Sequence, residues 1–159
     1  MKKNLDNKSL LKYSRQIILK DVGVIGQKKI INSKVLVIGA GGLGSPVIDL
    51  LARAGVGQIG VIEFDKISIS NIHRQTLYTS RDINKNKSQI LKRQLKLINN
   101  NIKLNIYNEK ASDKNLTKVL PKFDIIVDGS DNFHTKFLLN KYSLKYKKKL
   151  VVGAISKFD

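Results

Sequence analysis

The run KVLVIG (34–39) passes straight into Ala40-Gly41-Gly42-Leu43-Gly44, so that a β-branched stretch ends in a G-x-G-G-x-G pattern that opens a helical one. No other feature restricts the fold so strongly. A continuous apolar run of this length reads as a strand buried on both faces of a parallel sheet. Gly39 allows a tight turn, Gly41 and Gly42 let backbone N–H groups approach phosphate oxygens, and Gly44 permits close packing of helix on strand. The helix N-terminus favours negative charge, so a nucleotide is the expected ligand.

The remaining pattern repeats this unit. Leu43 to Ala54 reads as a helix stopped by Gly55 and Gly57, and QIGVIEF (58–64) as the second strand. Residues 65–84 read as a loop with one helical turn. Lys87 to Asn99 is amphipathic, with Ile90, Leu91, Leu95 and Ile98 inward. A strand at 103–108, a short helix at 116–120, a buried strand at 123–130, a helix from Phe133 to Tyr146 and a last strand at 150–155 follow. Ahead of the glycine run, residues 9–31 read as two short helices broken around Gly23 and Gly26. The alternation predicts an α/β fold, a Rossmann-like doubly wound, mainly parallel sheet with an N-terminal helical segment.

With 159 residues the chain matches one domain, helices at 9–31 and a core at 33–159. Its 42% hydrophobic content holds no run long enough to cross a membrane, and its start lacks the apolar stretch of a signal peptide. A cytoplasmic protein is the expectation, with an organelle stroma as the alternative. The absence of cysteine excludes disulfides and Cys-based zinc within these residues. Net charge is +18, which ordinarily points to a polyanionic partner. Yet 25 of the 30 cations are lysine, beside 20 Ile and 14 Asn, the joint excess that an A+T-rich genome produces without selection for binding. A nucleic-acid partner is not expected on that ground.

Glu63 lies 24 residues past Gly39 at the end of the second strand, where a carboxylate accepts from ribose hydroxyls. This much suits NAD as well as ATP. Arg74 and Lys87 would neutralise a triphosphate and the charge that builds as pyrophosphate leaves, and Asp131, beside Asn132, would hold Mg²⁺. Hydride transfer gives those groups no task.

The segments YSRQIIL (13–19), GAGGLGSP (39–46), EFDKISISNIHRQTL (63–77) and DGSDN (128–132) resemble the ThiF/MoeB family of adenylating enzymes, relatives of the ubiquitin-activating enzymes. The resemblance runs from about residue 10 to the end of the sequence. It implies an enzyme, an adenylyltransferase that uses Mg-ATP to activate the C-terminal glycine carboxylate of a ubiquitin-fold sulfur carrier protein, for molybdopterin or thiamine-thiazole synthesis. It implies a homodimer, with Arg15 reaching into the partner's phosphate site. Residue by residue, Gly39, Gly41, Gly42 and Gly44 would cradle the phosphates and Glu63 would hold the ribose. Ser70, Asn71 and Arg74 would line the ATP site, Lys87 would neutralise the triphosphate, and Asp131 would position Mg²⁺ next to Asn132. Asp65 reads equally as a turn residue, His73 as a packed or solvent-facing side chain, and Asp128 as a cap on the strand turn.

Three differences from the family pattern stand out. Glu63 replaces the usual Asp, Asn84-Lys85-Asn86-Lys87 replaces Gly-Gln-Pro-Lys, and Gly129 stands where Cys or another small residue is common. The family's further strands and its paired Cys-x-x-Cys zinc site have no counterpart in this sequence, which reads as a fragment or a decayed form. The alternatives are an adenylating enzyme of the same superfamily acting on tRNA, and a non-catalytic nucleotide-binding remnant.

Overall fold

Every residue of strand β1 (Lys34–Ile38) after its first is buried, and successive side chains enter two separate cores. Val35 and Val37 join Ile48, Ala52, Ile59, Val61, Leu91 and Leu95 on one face. Leu36 and Ile38 join Leu116, Leu120, Phe123, Ile126 and Leu139 on the other. With apolar neighbours on both sides, the strand has no polar face to alternate with.

The computed structural model describes residues 3–155. After α1 (Asn7–Lys12), α2 (Ser14–Ile17) and α3 (Gly23–Asn32) come β1, α4 (Gly44–Ala54), β2 (Gln58–Ile62), α5 (Lys87–Ile98), β3 (Lys103–Tyr107), α6 (Asp113–Val119), β4 (Ile125–Asp128), α7 (Phe133–Lys145) and β5 (Lys149–Val152). The five strands lie in the order β3-β2-β1-β4-β5, and each pairing is parallel. Residues of α4 and α5 contribute to the first core and those of α6 and α7 to the second, which makes three layers. The crossover from β3 to β4 carries the chain past β2 and β1, so the order reverses beside β1. Ligands bind at such a reversal, outside the carboxyl ends of the strands.

Several expectations shift. The N-terminal segment forms three helices rather than two, and Gly26 lies inside α3 instead of breaking it. The breaks fall at Tyr13 and across residues 18–22, and Gly23, at φ 55°, starts α3. Helix α6 begins at Asp113, three residues before the expected start, because Ser112 and Asn115 form a reciprocal cap. Strand β5 ends at Val152; beyond it Lys136 Nζ takes the Gly153 carbonyl at 2.7 Å. Segment 65–87 is more ordered than a loop. Two 3-10 turns, at Ile69–Asn71 and Ser80–Asp82, join an antiparallel bridge between Lys66 and Asn86.

A buried polar knot ties the N-terminal helices to the core. Asn99 Nδ2 donates to the Tyr13 hydroxyl at 3.0 Å and to the Ala52 carbonyl at 2.9 Å. The Tyr13 ring packs so closely that a Cβ at Gly55, itself at φ 88°, would lie 2.5 Å from it. Asp82 makes a second knot, accepting from Thr79 Oγ1 and from Arg93 Nη2, each at 2.8 Å. Burial alone would raise its carboxyl, but the bonds from Thr79 and Arg93 outweigh that and hold it below the usual carboxylate range.

Two outcomes follow from these knots. Tyr13→Phe leaves Asn99 one acceptor short and lowers stability by about 1–2 kcal/mol in urea unfolding, with no change in m. Because Asp82 is depressed in the folded state, its stabilisation is present above the unfolded carboxyl value and lost as pH falls through the folded one. Arg93→Gln therefore lowers the melting temperature at neutral pH and flattens its fall between neutral and strongly acid pH.

Candidate functional site

The glycine loop leaves no room for side chains where it turns. Gly39 takes φ 83°, and a Cβ at Gly44 would lie 2.0 Å from the Gly39 carbonyl oxygen. The end of β4 presses on the same turn: a Cβ at Gly39 would come within 3.1 Å of the Gly129 oxygen, and one at Gly129 within 3.0 Å of Gly44 Cα. Helix α4 consequently starts hard against β1 and β4, and no side chain caps its N-terminus. The positive end of its dipole faces the loop, with the Ser45 N–H already bonded to the Gly41 carbonyl at 2.9 Å and Pro46 carrying no N–H.

Glu63 holds that loop to β2. It is 4% exposed; Oε2 accepts from the Ala40 N–H at 2.7 Å, and Oε1 accepts from the Phe64 and Asp65 N–H groups, both at 2.8 Å. Three of the carboxylate's roughly four acceptor positions are taken by backbone. The Tyr78 hydroxyl donates to the Ala40 carbonyl at 3.1 Å. Burial, with the charges of Glu63 and Asp65, pushes this phenol far above its ordinary range, so it stays a donor. Lys87, first residue of α5 and 4% exposed, sets Nζ 3.4 Å from Asp65 Oδ2 and 3.9 Å from Glu63 Oε2.

Segment 68–75 covers the loop from the side. Arg74 lies over Gly42, where a Cβ would meet its Nε at 3.2 Å, and its Nη1 donates to the Ser70 carbonyl at 2.7 Å. Asn71 Oδ1 accepts from the Ser68 N–H at 3.2 Å, so this side chain shapes its own turn. His73 is exposed. Beneath Arg74, Gln75 is 3% exposed and its Oε1 has no hydrogen-bond partner; Ser45 Oγ, at the start of α4, is the other buried side-chain atom without one among the described residues.

At the end of β4, Asp128 Oδ1 accepts from the Ser130 N–H and hydroxyl at 2.9 and 2.6 Å, and its Oδ2 pairs with Lys136 Nζ at 3.0 Å. Asp131 is exposed, and Asn132 caps α7 through the Thr135 N–H at 2.9 Å. Among the described residues no cluster of three or more His, Cys, Asp or Glu side chains could hold a metal ion. A single carboxylate beside bound phosphates is the setting in which Mg²⁺ is usually held.

The fold thus gathers Gly39, Gly41, Gly42, Gly44, Glu63, Ser70, Asn71, Arg74 and Lys87 around one loop, with Asp131 and Asn132 after the adjoining strand. Arg15 stands apart. Its neighbour Gln16 bonds Gln27 and the Ala54 carbonyl, at the far end of α4 from Gly44 and about 15 Å along that helix. The sequence reading passed over Ser45, Gln75, Tyr78 and Lys136. Gln75 carries a signal in standing next to Arg74; the pairing of Asp128 with Lys136 comes from tertiary structure and carries none.

The glycine turn, the uncapped helix and Arg74 over Gly42 fit a nucleoside triphosphate. A model of the ThiF family matches residues 13–159. The chain is 41% identical over 148 residues to a sulfur carrier protein adenylyltransferase of Thermus thermophilus, covering 93% of this chain and 55% of that protein. It is 40% identical over 150 residues to the adenylyltransferase and sulfurtransferase MOCS3 of Aedes aegypti, covering 94% of this chain and 34% of that one. It therefore spans between a third and just over half of the length of these relatives. Among solved structures, the E. coli tRNA N6-threonylcarbamoyladenosine dehydratase TcdA in complex with ATP superposes with a TM-score of 0.85 over 97% of this chain and 64% of that one, at 20% identity, which establishes likeness of fold. No helix among the described residues is long and apolar enough to cross a membrane. With nearly the whole sequence under the family model, and with relatives at about two-fifths identity over more than nine-tenths of it, the chain belongs to the ThiF family.

Proposed function

We propose that this chain is the nucleotide-binding part of an adenylyltransferase that activates the C-terminal glycine carboxylate of a ubiquitin-fold sulfur carrier protein with Mg-ATP as co-substrate. The observation that carries the proposal is Arg74 laid over Gly42 at the uncapped start of α4, a cation and a helix dipole at one anion seat. In the reaction a carboxylate oxygen of the carrier forms a bond to the α-phosphorus, the bond from that phosphorus to the bridging oxygen breaks, and pyrophosphate leaves with its electron pair. The nucleophile comes from the carrier, so the protein's contribution is position and charge. Arg74 stabilises the departing pyrophosphate. Lys87 changes partners, from Asp65 and Glu63 to the triphosphate. Glu63, with one acceptor position left, takes a ribose hydroxyl, Ser70 and Asn71 line the phosphate side, and Asp131 with Asn132 holds Mg²⁺. The names of the relatives support the adenylyl transfer and the carrier.

The net charge of +18 favours one second reading, a tRNA substrate for the same adenylation. Binding to tRNA falls steeply with rising salt, whereas a carrier tail bound mainly through its backbone loses little.

The test is ATP–pyrophosphate exchange with Mg²⁺ and a carrier ending in Gly-Gly. Exchange depends on the carrier, and Arg74→Ala and Asp131→Ala each lower it by about 10²-fold or more. ATP binding without exchange would reduce the chain to a nucleotide-binding remnant. Arg15, too far from its own glycine loop, acts on the loop of a second copy in a homodimer. Arg15→Ala and Asp131→Ala variants, each inactive alone, then regain roughly a quarter of wild-type exchange when mixed and allowed to re-pair, since half the dimers are mixed and each has one intact site. Mixed samples no more active than their components would remove Arg15 from the site.

A further inference from the structure

We infer that Lys136 is a positioning residue, fixing the turn that presents Asp131; this rests on the reading above of Asp131 as the carboxylate that holds Mg²⁺. A lysine ammonium has three N–H donors. At Lys136 each has an acceptor: Nζ lies 3.0 Å from Asp128 Oδ2, 3.1 Å from the Ser130 carbonyl and 2.7 Å from the Gly153 carbonyl. One side chain near the start of α7 thereby ties together the last residue of β4, the turn that follows it and the exit of β5. A cation at that end of a helix opposes the dipole, so helix formation gives no reason for it. With every donor engaged, Lys136 has none left for a phosphate, and it acts on the backbone around it.

Asp131 stands between two residues that are held in place, and is itself uncommitted. On one side Ser130 gives its carbonyl to Lys136, while its N–H and hydroxyl donate to Asp128 Oδ1 at 2.9 and 2.6 Å. On the other side Asn132 caps α7 through the Thr135 N–H at 2.9 Å. Asp131 is exposed, and among the described residues its carboxylate accepts only a 3.5 Å bond from Asn132 Nδ2. A free carboxylate on a backbone pinned from both sides suits metal binding, because the groups that orient a ligand from outside help to set its affinity. Neutralising Asp128, which is 1% exposed, accounts for one of the three bonds of Lys136. The bonds to the Ser130 and Gly153 carbonyls are more than charge balance needs.

Calorimetric titration with ATP in EDTA and with Mg-ATP, run well below the lowest melting temperature of the set, tests the inference. The variants are Lys136→Met, Lys136→Arg and the double change Asp128→Asn with Lys136→Met, which removes both charges and leaves no buried carboxylate unpaired. In the wild type Mg²⁺ tightens binding. Lys136→Met and the double variant are expected to lose most of that gain, about tenfold in Mg-ATP affinity, with the affinity for metal-free ATP unchanged. Lys136→Arg, which keeps the charge and the donors, retains the gain. A double variant with the wild-type gain makes Lys136 a counter-ion to Asp128 and overturns the inference; equal losses for ATP and Mg-ATP overturn it too and leave Asp131 in its role. A wild type without the gain, or a gain that Asp131→Ala leaves intact, overturns the reading of Asp131 and the inference with it. A wild-type chain that binds no ATP overturns the nucleotide reading as well.

Discussion

Helix α4 can begin where it does only because position 44 lacks a side chain. That position lies so near the Gly39 carbonyl that a methyl group there would force β1 and α4 apart, while one at position 129, 3.0 Å from Gly44 Cα, would need its neighbours to give by a few tenths of an ångström. Everything at the site inherits its placement from that contact. It fixes the dipole of α4 on the loop, brings the end of β4 with Asp131 alongside, and sets Gly42 where Arg74 lies over it. Charge stabilisation depends on donors held at close hydrogen-bond distance, which that contact helps to fix.

Charge is distributed around the loop so that each buried ion has a partner before a ligand arrives. Lys87 stands against Glu63 and Asp65, and Asp128 stands against Lys136 and the Ser130 N–H. An unpaired buried ion would cost several kcal/mol, so the resting chain needs these pairs to fold. Lys87 and Asp65 are unequal members: the lysine is 5% exposed along its side chain and the carboxylate 51%. Asp65 is thus the partner that solvent can take over when Lys87 turns to a phosphate. Arg74 differs in being exposed, with Nη1 bonded to the Ser70 carbonyl and 3.4 Å from His73 Nε2 and with no carboxylate partner among the described residues, free to meet an incoming anion.

Element types were legible in the sequence wherever burial repeats at a fixed period. The two-faced strand β1 and the inward set of α5 (Ile90, Leu91, Leu95 and, half-buried, Ile98) are written in residue spacing. Boundaries decided by single hydrogen bonds were not, as at Ser112, where a cap lengthens α6, and at Gly153, where Lys136 takes the carbonyl that would extend β5. Gly42 and Arg74 were each nameable from the segment that holds them, 39–46 and 63–77, but the contact that lays one over the other comes from tertiary structure. The commitment of Glu63 to three backbone N–H groups was hidden, because a carboxylate at the end of a strand reads the same whether it faces ligand or loop.

The departures from the family pattern show which physical property each position requires. Asn84 stands where the family has glycine, and it takes φ 67°, a left-handed conformation that asparagine tolerates better than most side chains. Asn86 stands where the family has proline, and it holds φ −66°, the angle to which a proline ring is locked. Both substitutions fit the compositional excess of asparagine, yet both keep the backbone path that bridges Lys66 to Asn86 and delivers Lys87 to Glu63 and Asp65. Asparagine replaces a special backbone residue here only where it can reproduce the torsion angle. At Gly39, held at φ 83°, and at Gly44 the requirement is the absence of a Cβ beside a neighbouring carbonyl; asparagine cannot meet it, and there glycine remains.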